Sequence, residues 1–159
     1  MSKWRPHTTG ILVSGLILIL VALAASYILT NFQPTSELRL GSNVFNVKVA
    51  VTDETRERGL SGVNKLSANS GLLMIFAKDD KWGIWMKDME IPIDIIWLDS
   101  NKKVTYIVTD ASPELSTTET FIPKSPARYV LEVTAGTVKN SAIKIGDVAT
   151  FEINEDLVE

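Results

Sequence analysis

Charged side chains stand inside otherwise apolar segments of this 159-residue sequence, and they are the first candidates for chemistry. Asp94 lies between two isoleucines, and Arg128 and Glu132 occupy one segment in which they alternate with apolar residues. Because every second residue of a strand points to the same face, Arg128 and Glu132 would share a face, and Asp94 would point away from its apolar neighbours. If the strands adjoin, these three residues and Lys87 form one charged cluster in a shallow pocket.

This predicted cluster has two interpretations. Arginine side chains are bidentate hydrogen-bond donors, so the cluster could bind a carboxylate, a phosphate or a sugar. It could equally be an ion-pair network that fixes the register of the sheet, because a charge buried alone is strongly unfavourable. Arg56 and Arg58, which follow the first predicted long strand, are expected at the rim of the cluster.

Three tryptophans are gathered between residues 82 and 97. An exposed tryptophan on a sheet can stack on sugars or peptides, whereas a buried one fills the core. We expect Trp85 and Trp97 to contribute to the core and Trp82 to be the exposed one, but Trp85 also stays a candidate for stacking. The candidate ligand-binding residues are Arg56, Arg58, Trp85, Lys87, Asp94, Arg128 and Glu132.

Missing residue types exclude several kinds of catalyst. The sequence has no cysteine, and its single histidine, His7, precedes the long apolar segment described below. A Ser-His-Asp triad, a thiolate nucleophile and a cysteine or histidine zinc site are therefore excluded from the main domain. We expect no metal and no cofactor. Two carboxylates close together could still hydrolyse a glycosidic bond, so a carboxylate-based hydrolase is the alternative to a binding module.

The balance of charge argues against nucleic acid as a partner. The net charge is −3, and beyond residue 30 there are 14 basic and 19 acidic residues. Binding to a phosphate backbone depends on an excess of basic residues, which this part of the chain lacks.

The segment from Ile11 to Leu29 contains 19 residues and no charge. As a helix it would extend roughly 28 Å, close to the thickness of the hydrocarbon core of a bilayer. Lys3 and Arg5 precede it, which predicts a single-pass protein of the plasma membrane with a cytoplasmic N-terminus and an extracytoplasmic C-terminal domain. The alternative is a cleaved signal peptide, since Ala22-Leu23-Ala24 has the form of a cleavage site. We favour the uncleaved anchor because the apolar segment continues to Leu29.

The residue pattern in the rest of the chain is typical of many short strands. The pattern predicts a hairpin over 38–51, a short helix capped at Thr52 or Asp53 and ended by Gly59, and a strand buried on both faces at 71–76. It further predicts a β-meander from residues 82–87, 93–98 and 104–108, an irregular segment over 109–125, a strand at 128–133, a short helix at 136–143 and a last strand at 148–153.

These elements indicate an all-β fold, a β-sandwich or partly closed barrel with one or two short helices, preceded by one N-terminal transmembrane helix. The predicted organisation is a cytoplasmic N-terminus (1–10), an anchor or signal segment (11–29), a linker (30–37), a β-rich exported domain (38–153) and an acidic tail (154–159).

Five landmarks in order resemble the family known as domain of unknown function 192. The resemblance covers roughly residues 38–153 and implies a compact β-rich domain, often behind an export signal or anchor, with no agreed activity. The sequence departs from the family pattern where Asp88-Met89 replaces the usual Asn-Thr, and where residues 109–123 lack the cysteines of many members. The landmarks are Arg56-x-Arg58-Gly59-Leu60, Trp85-Met86-Lys87, Ile91-Pro92-Ile93-Asp94, the segment Ala127 to Gly136, and Gly146-Asp147.

These observations lead to a functional expectation. The chain is expected to be a membrane-anchored extracytoplasmic binding or accessory module for an envelope glycan, a peptide or a partner protein.

Overall fold

The computed structural model describes residues 8–31, 33–115, 120–153 and 158. The chain divides into two compact units, Met1–Gln33 and Pro34–Glu159. The predicted cytoplasmic N-terminus and acidic tail lie largely outside the described residues.

The first unit contains helix α1, Thr8–Asn31, which includes the whole apolar segment. Side chains of α1 are described for residues 13–25, and eight large apolar ones among them are exposed. Within the part of the chain that the structure describes, no helix meets the length and apolarity needed to cross a membrane. The transmembrane helix therefore stays a prediction from the sequence.

The second unit is mainly strands. Its described residues contain nine strands, two short helices and a 3-10 turn at Pro113–Leu115. The strands are β1 (Thr35–Leu40), β2 (Asn43–Ala50), β3 (Ser70–Asp80), β4 (Ile84–Trp85), β5 (Ile93–Leu98), β6 (Val104–Ala111), β7 (Thr120–Phe121), β8 (Ala127–Thr134) and β9 (Thr150–Phe151), and the helices are α2 (Asp53–Arg58) and α3 (Thr137–Asn140).

Seven strands form one sheet in the order β6-β5-β8-β3-β2-β1-β9. Neighbours are antiparallel except β2 and β3, which are parallel and are joined by the crossover that contains α2. The two ends of the sheet approach each other, because Lys103 and Val148 form a β-bridge and the Val104 N–H donates to the Asp147 carbonyl at 2.8 Å. The prediction of a mostly β fold with short helices is confirmed, and of its two forms the partly closed barrel is the correct one.

The sheet has an apolar core on each face. One core includes Phe45 and Leu131, and the other includes Leu72, Met86 and Trp97. Residues 71–76 of β3 are buried without interruption, as predicted, because their side chains alternate between the two cores.

The predicted meander is wrong in one element. β5 and β6 form the expected hairpin, but β4 leaves the sheet and pairs with β7, a strand in the segment 109–125 that was expected to be irregular. Residues 116–119 of that segment lie outside the described residues. The first strand begins at Thr35, within the segment expected to be a linker, and α3 and β9 are shorter than predicted.

Candidate functional site

A cleft of about 230 Å³ lies between α2, the loop that follows it and β4. Three predicted site residues, Arg56, Arg58 and Trp85, line this cleft. Trp82 and Met74 complete much of its apolar wall. The cleft therefore brings together the first two family landmarks, which are about 30 positions apart in the sequence.

Helix α2 is held at its start by a capping box. The Thr52 side chain accepts from the Thr55 N–H, and the Thr55 hydroxyl accepts from the Thr52 N–H. Gly59 ends the helix with φ 53° and ψ −131°, a combination open only to glycine, as the sequence pattern predicted for the end of this helix. The turn directs the loop back across β3 and β8, toward the floor of the cleft.

Arg56 is committed to structure rather than free to bind an anion. Its Nη1 donates to the carbonyl oxygens of Val51 (2.5 Å) and Ile75 (2.7 Å), and its Nη2 pairs with Asp53 Oδ1 at 2.6 Å. The guanidinium also lies over the ring of Phe76, 5.2 Å from its centroid. These contacts attach α2 to the residue after β2 and to the middle of β3, so the guanidinium does not offer the bidentate ligand contact that was expected at the rim.

Arg58 is half-buried in the cleft wall and has no ion-pair partner among the residues that the structure describes. Trp85 is 45% exposed, so its predicted place in the core is wrong. The Lys87 ammonium lies 5.8 Å from the centroid of the Trp85 ring, which places Lys87 beside the cleft. The Lys87 ammonium and the exposed ring of Trp85 thus lie together beside the cleft.

Trp82 and Trp97 are less accessible than Trp85. Trp82, expected to be exposed, is half-buried and stacks on Phe76 with ring centroids 4.2 Å apart. Trp97 is fully buried, as predicted, and its Nε1 donates to the Trp82 carbonyl at 2.9 Å. Trp82 therefore packs into the wall of the cleft, and Trp85 is the more exposed of the two.

Glu132 lies beneath the loop after α2. Its neighbours across the strands are Leu72 on β3 and Ile95 on β5, and its side chain is 3% exposed. The Oε2 atom has no hydrogen-bond partner among the described residues. A Cβ added at Gly59 would lie 3.7 Å from this oxygen, so the carboxyl sits directly under the glycine. Burial raises the pKa of Glu132 to about 8, which makes the carboxyl neutral at pH 7.

Asp94 is fully buried on β5, where its carboxylate accepts three backbone hydrogen bonds. Oδ1 accepts from the N–H groups of Asp110 (2.9 Å) and Gly136 (3.2 Å), and Oδ2 accepts from that of Val138 (2.8 Å). The carboxylate therefore holds the end of β6 and the start of α3 against β5. In this position Asp94 acts as a brace between loops.

Arg128 lies far from Asp94. In the β5–β8 pairing Asp94 is opposite Val133, five residues from Arg128, which corresponds to about 17 Å along the strand. Arg128 instead pairs with Asp79 at 2.6 Å, on β3. The prediction of a single cluster of Lys87, Asp94, Arg128 and Glu132 is therefore wrong, because Asp94 and Arg128 lie near opposite ends of the paired strands β5 and β8.

The sequence offered no signal for two features of this region. The strand predicted at 71–76 continues to Asp80, and this extension places Asp79 beside Arg128. The position of Gly59 over Glu132 depends on packing between distant segments. Among the described residues, no group of three or more carboxylate or histidine side chains is arranged to hold a metal ion.

Comparison with known proteins identifies the family. The model of domain of unknown function 192 (DUF192), described as "Uncharacterized ACR", matches residues 36–151. The chain belongs to the DUF192 family. The resemblance inferred from the five landmarks is thereby confirmed.

Two relatives and two solved structures are similar to the chain. The UPF0127 proteins of Thermococcus gammatolerans and Thermococcus kodakarensis are each 30% identical over 112 residues, 69% of this chain and 69% and 67% of theirs. A Sinorhizobium meliloti protein suggested to be a transcription regulator is 27% identical with a TM-score of 0.71, over 75% of this chain and 95% of that one. A Novosphingobium aromaticivorans protein of unknown function is 25% identical with a TM-score of 0.67, over 74% and 84%.

Replacement of Asp94 by Asn should destabilise this DUF192 domain. The amide nitrogen cannot accept the backbone N–H groups that a carboxylate oxygen accepts, and a buried unsatisfied donor costs about 1–3 kcal/mol. We expect a loss of roughly that size in the free energy of unfolding, measured by urea denaturation. Glu90→Gln, the same change at an exposed residue, is the control. Equal stability of the two variants would show that the three bonds do not brace the fold.

Glu132 should make the domain less stable as the pH rises from about 4.5 to about 8. In this window the folded protein keeps a proton that the unfolded chain has released, so stability falls by about 1.4 kcal/mol per pH unit. This loss of stability is absent below about pH 4.5 and complete above about pH 8. Urea denaturation at pH 5 and pH 8 should show that Glu132→Gln removes this loss and that Glu90→Gln keeps it. An unchanged pH dependence in Glu132→Gln would contradict the assignment.

Proposed function

We propose that the domain is a binding module whose cleft takes a carboxylate-bearing sugar of the cell envelope. The observation that carries the proposal is that one cleft is lined by an accessible ring, Trp85, and by a cation, Arg58, that has no ion-pair partner among the described residues. Aromatic faces pack against the apolar faces of sugar rings, and arginine binds carboxylates through two parallel hydrogen bonds.

The size of the cleft supports a small ligand unit. Its volume of about 230 Å³ is below the range of about 300–1,000 Å³ for sites that enclose drug-sized ligands. One sugar ring, or one ring of a longer glycan, is a suitable occupant. A peptide or a partner protein would present a side chain at the same place, and these are the alternative occupants.

The alternative function is a carboxylate-based hydrolase. It is favoured by one observation, the neutral buried carboxyl of Glu132 near the cleft, which is the state of a general acid. A glycosidase also needs a second carboxylate about 5–10 Å away. Asp53 and Glu57 line the cleft, but both are exposed and Asp53 is paired with Arg56, which favours binding over catalysis.

We also propose that the domain is held outside the cytoplasm by the N-terminal segment. The support comes from the sequence: 19 uncharged residues from Ile11 to Leu29, preceded by Lys3 and Arg5. In addition, the described side chains of α1 include eight exposed large apolar ones, which a lipid environment would accommodate. The excess of acidic residues in this domain does not favour the transcription-regulator role suggested for the Sinorhizobium protein.

Protease treatment of cells should reveal the location. We expect the domain to be digested in spheroplasts and to stay in the membrane fraction before digestion, because the uncleaved segment would anchor it. A cytoplasmic protein that survives the same treatment is the control for intact spheroplasts. Protection of the domain in spheroplasts would contradict an extracytoplasmic location, and release into the soluble periplasmic fraction would indicate cleavage.

N-acetylmuramic acid, a sugar that carries a carboxylate, is a suitable probe for the cleft. Its binding to the wild-type protein should be saturable in titration calorimetry. Arg58→Ala should weaken it about tenfold or more, because a hydrogen bond to a charged group contributes about 1.5–3 kcal/mol. Trp85→Ala should also weaken it. Matched controls are Arg39→Ala, an exposed arginine paired with Glu37, and Ile145→Ala, an exposed apolar residue outside the cleft.

The result that would contradict the proposed function is the absence of saturable binding, or equal affinity of Arg58→Ala and the wild-type protein. Release of a reducing sugar from a cell-wall glycan, lost in Glu132→Gln, would instead support the hydrolase.

A further inference from the structure

We propose that Glu132 selects the ligand of this cleft by donating a hydrogen bond to the carbonyl oxygen of an N-acyl group. The inference rests on the proposed binding function and narrows its ligand class to sugars that carry both an acetamido group and a carboxylate. The two groups would be recognised at different places, the acetamido group by Glu132 behind Gly59 and the carboxylate by Arg58.

The position of the carboxyl carries the proposal. Buried polar atoms nearly always have a hydrogen-bond partner, and an exception needs an explanation. Glu132 Oε2 is buried and has none among the described residues. It also lies under Gly59, which lines the cleft, at 3.7 Å from where a Cβ would be. Glu132 itself does not line the cleft, so a ligand group that passed the wall at Gly59 would meet a carboxyl without a partner in the described part of the chain.

A route from the cleft to this carboxyl would open between Gly59 and Met74 if the Met74 side chain moved. Both residues line the cleft, and the Met74 methyl group lies 3.3 Å from the position of a Cβ at Gly59. Methionine is unbranched and changes rotamer readily, so it can move aside and then pack against the methyl group of an acetamido substituent. The loop itself is anchored, because Ser61 Oγ donates to the Lys87 carbonyl (2.8 Å) and the Gly62 N–H donates to that of Asp88 (2.8 Å).

The surroundings keep the carboxyl uncharged. The neighbouring strands present Leu72 and Ile95 to it. From the helix, Arg56 donates to the Val51 and Ile75 carbonyls and to Asp53, and Arg58 lines the cleft. Burial raises the pKa of Glu132 to about 8, so at pH 7 it carries a proton to donate. A neutral carboxylic acid is a better partner for a carbonyl oxygen than for an ammonium group.

The test compares two ligands that differ in one group. N-acetylmuramic acid has an acetamido group where the 3-O-lactyl ether of glucose has a hydroxyl. In calorimetry the wild-type protein should bind the first about tenfold more tightly, the size of effect that one hydrogen bond supplies. Glu132→Leu should lose this preference, whereas Glu132→Gln, whose amide N–H can donate, should retain most of it. Glu90→Leu, at an exposed position, is the matched control, and thermal unfolding checks that each variant is folded.

The pH dependence gives a second measurement. The preference of the wild-type protein should decline between pH 7 and pH 9, as Glu132 loses its proton, and that of Glu132→Gln should not. Equal binding of both ligands by the wild-type protein, or an undiminished preference in Glu132→Leu, would overturn the inference and leave the binding function in place. If neither ligand binds in a manner that depends on Arg58, the proposed function fails and this inference fails with it.

Discussion

The parallel pairing of β2 and β3 is the constraint on which the rest of the structure depends. Parallel neighbours cannot be joined by a tight turn, so the chain must leave the sheet and return. Here the crossover begins with α2, and Arg56 attaches that helix to both strands, through the Val51 carbonyl just after β2 and the Ile75 carbonyl in the middle of β3. Because the crossover lies over the sheet, it creates a wall, and the cleft is the space between that wall and β4.

Two buried carboxyl groups illustrate two solutions to the same problem. A buried ionised group must be compensated by hydrogen bonds or must become neutral. The carboxylate of Asp94 accepts three backbone N–H groups and thereby braces the loops around it. Glu132 lies among apolar neighbours with an oxygen that has no partner in the described part of the chain, and burial raises its pKa. The first arrangement is typical of a structural residue, and the second is typical of a functional one.

The landmark residues of the family likewise divide into structural residues and candidate binding residues. Arg56 and Asp94 maintain the fold through their hydrogen bonds to the backbone. Arg58 and Trp85 present their groups to the cleft, and Gly59 permits the close approach of the loop to Glu132. A set of landmark residues in one family is therefore a mixture of braces and binding groups, and only their contacts distinguish the two.

The sequence alone determined the local elements and the family. The alternation over 44–51, the apolar run at 71–76 and the turn glycine at Gly59 predicted strands and a helix end that the structure contains, because these signals act between near neighbours. Only the tertiary structure decided which charged residues meet. Arg128 and Glu132 share a strand face in sequence, yet one pairs with Asp79 and the other lies under Gly59. Strand periodicity gives the direction of a side chain but not its partner, which depends on strand order and register.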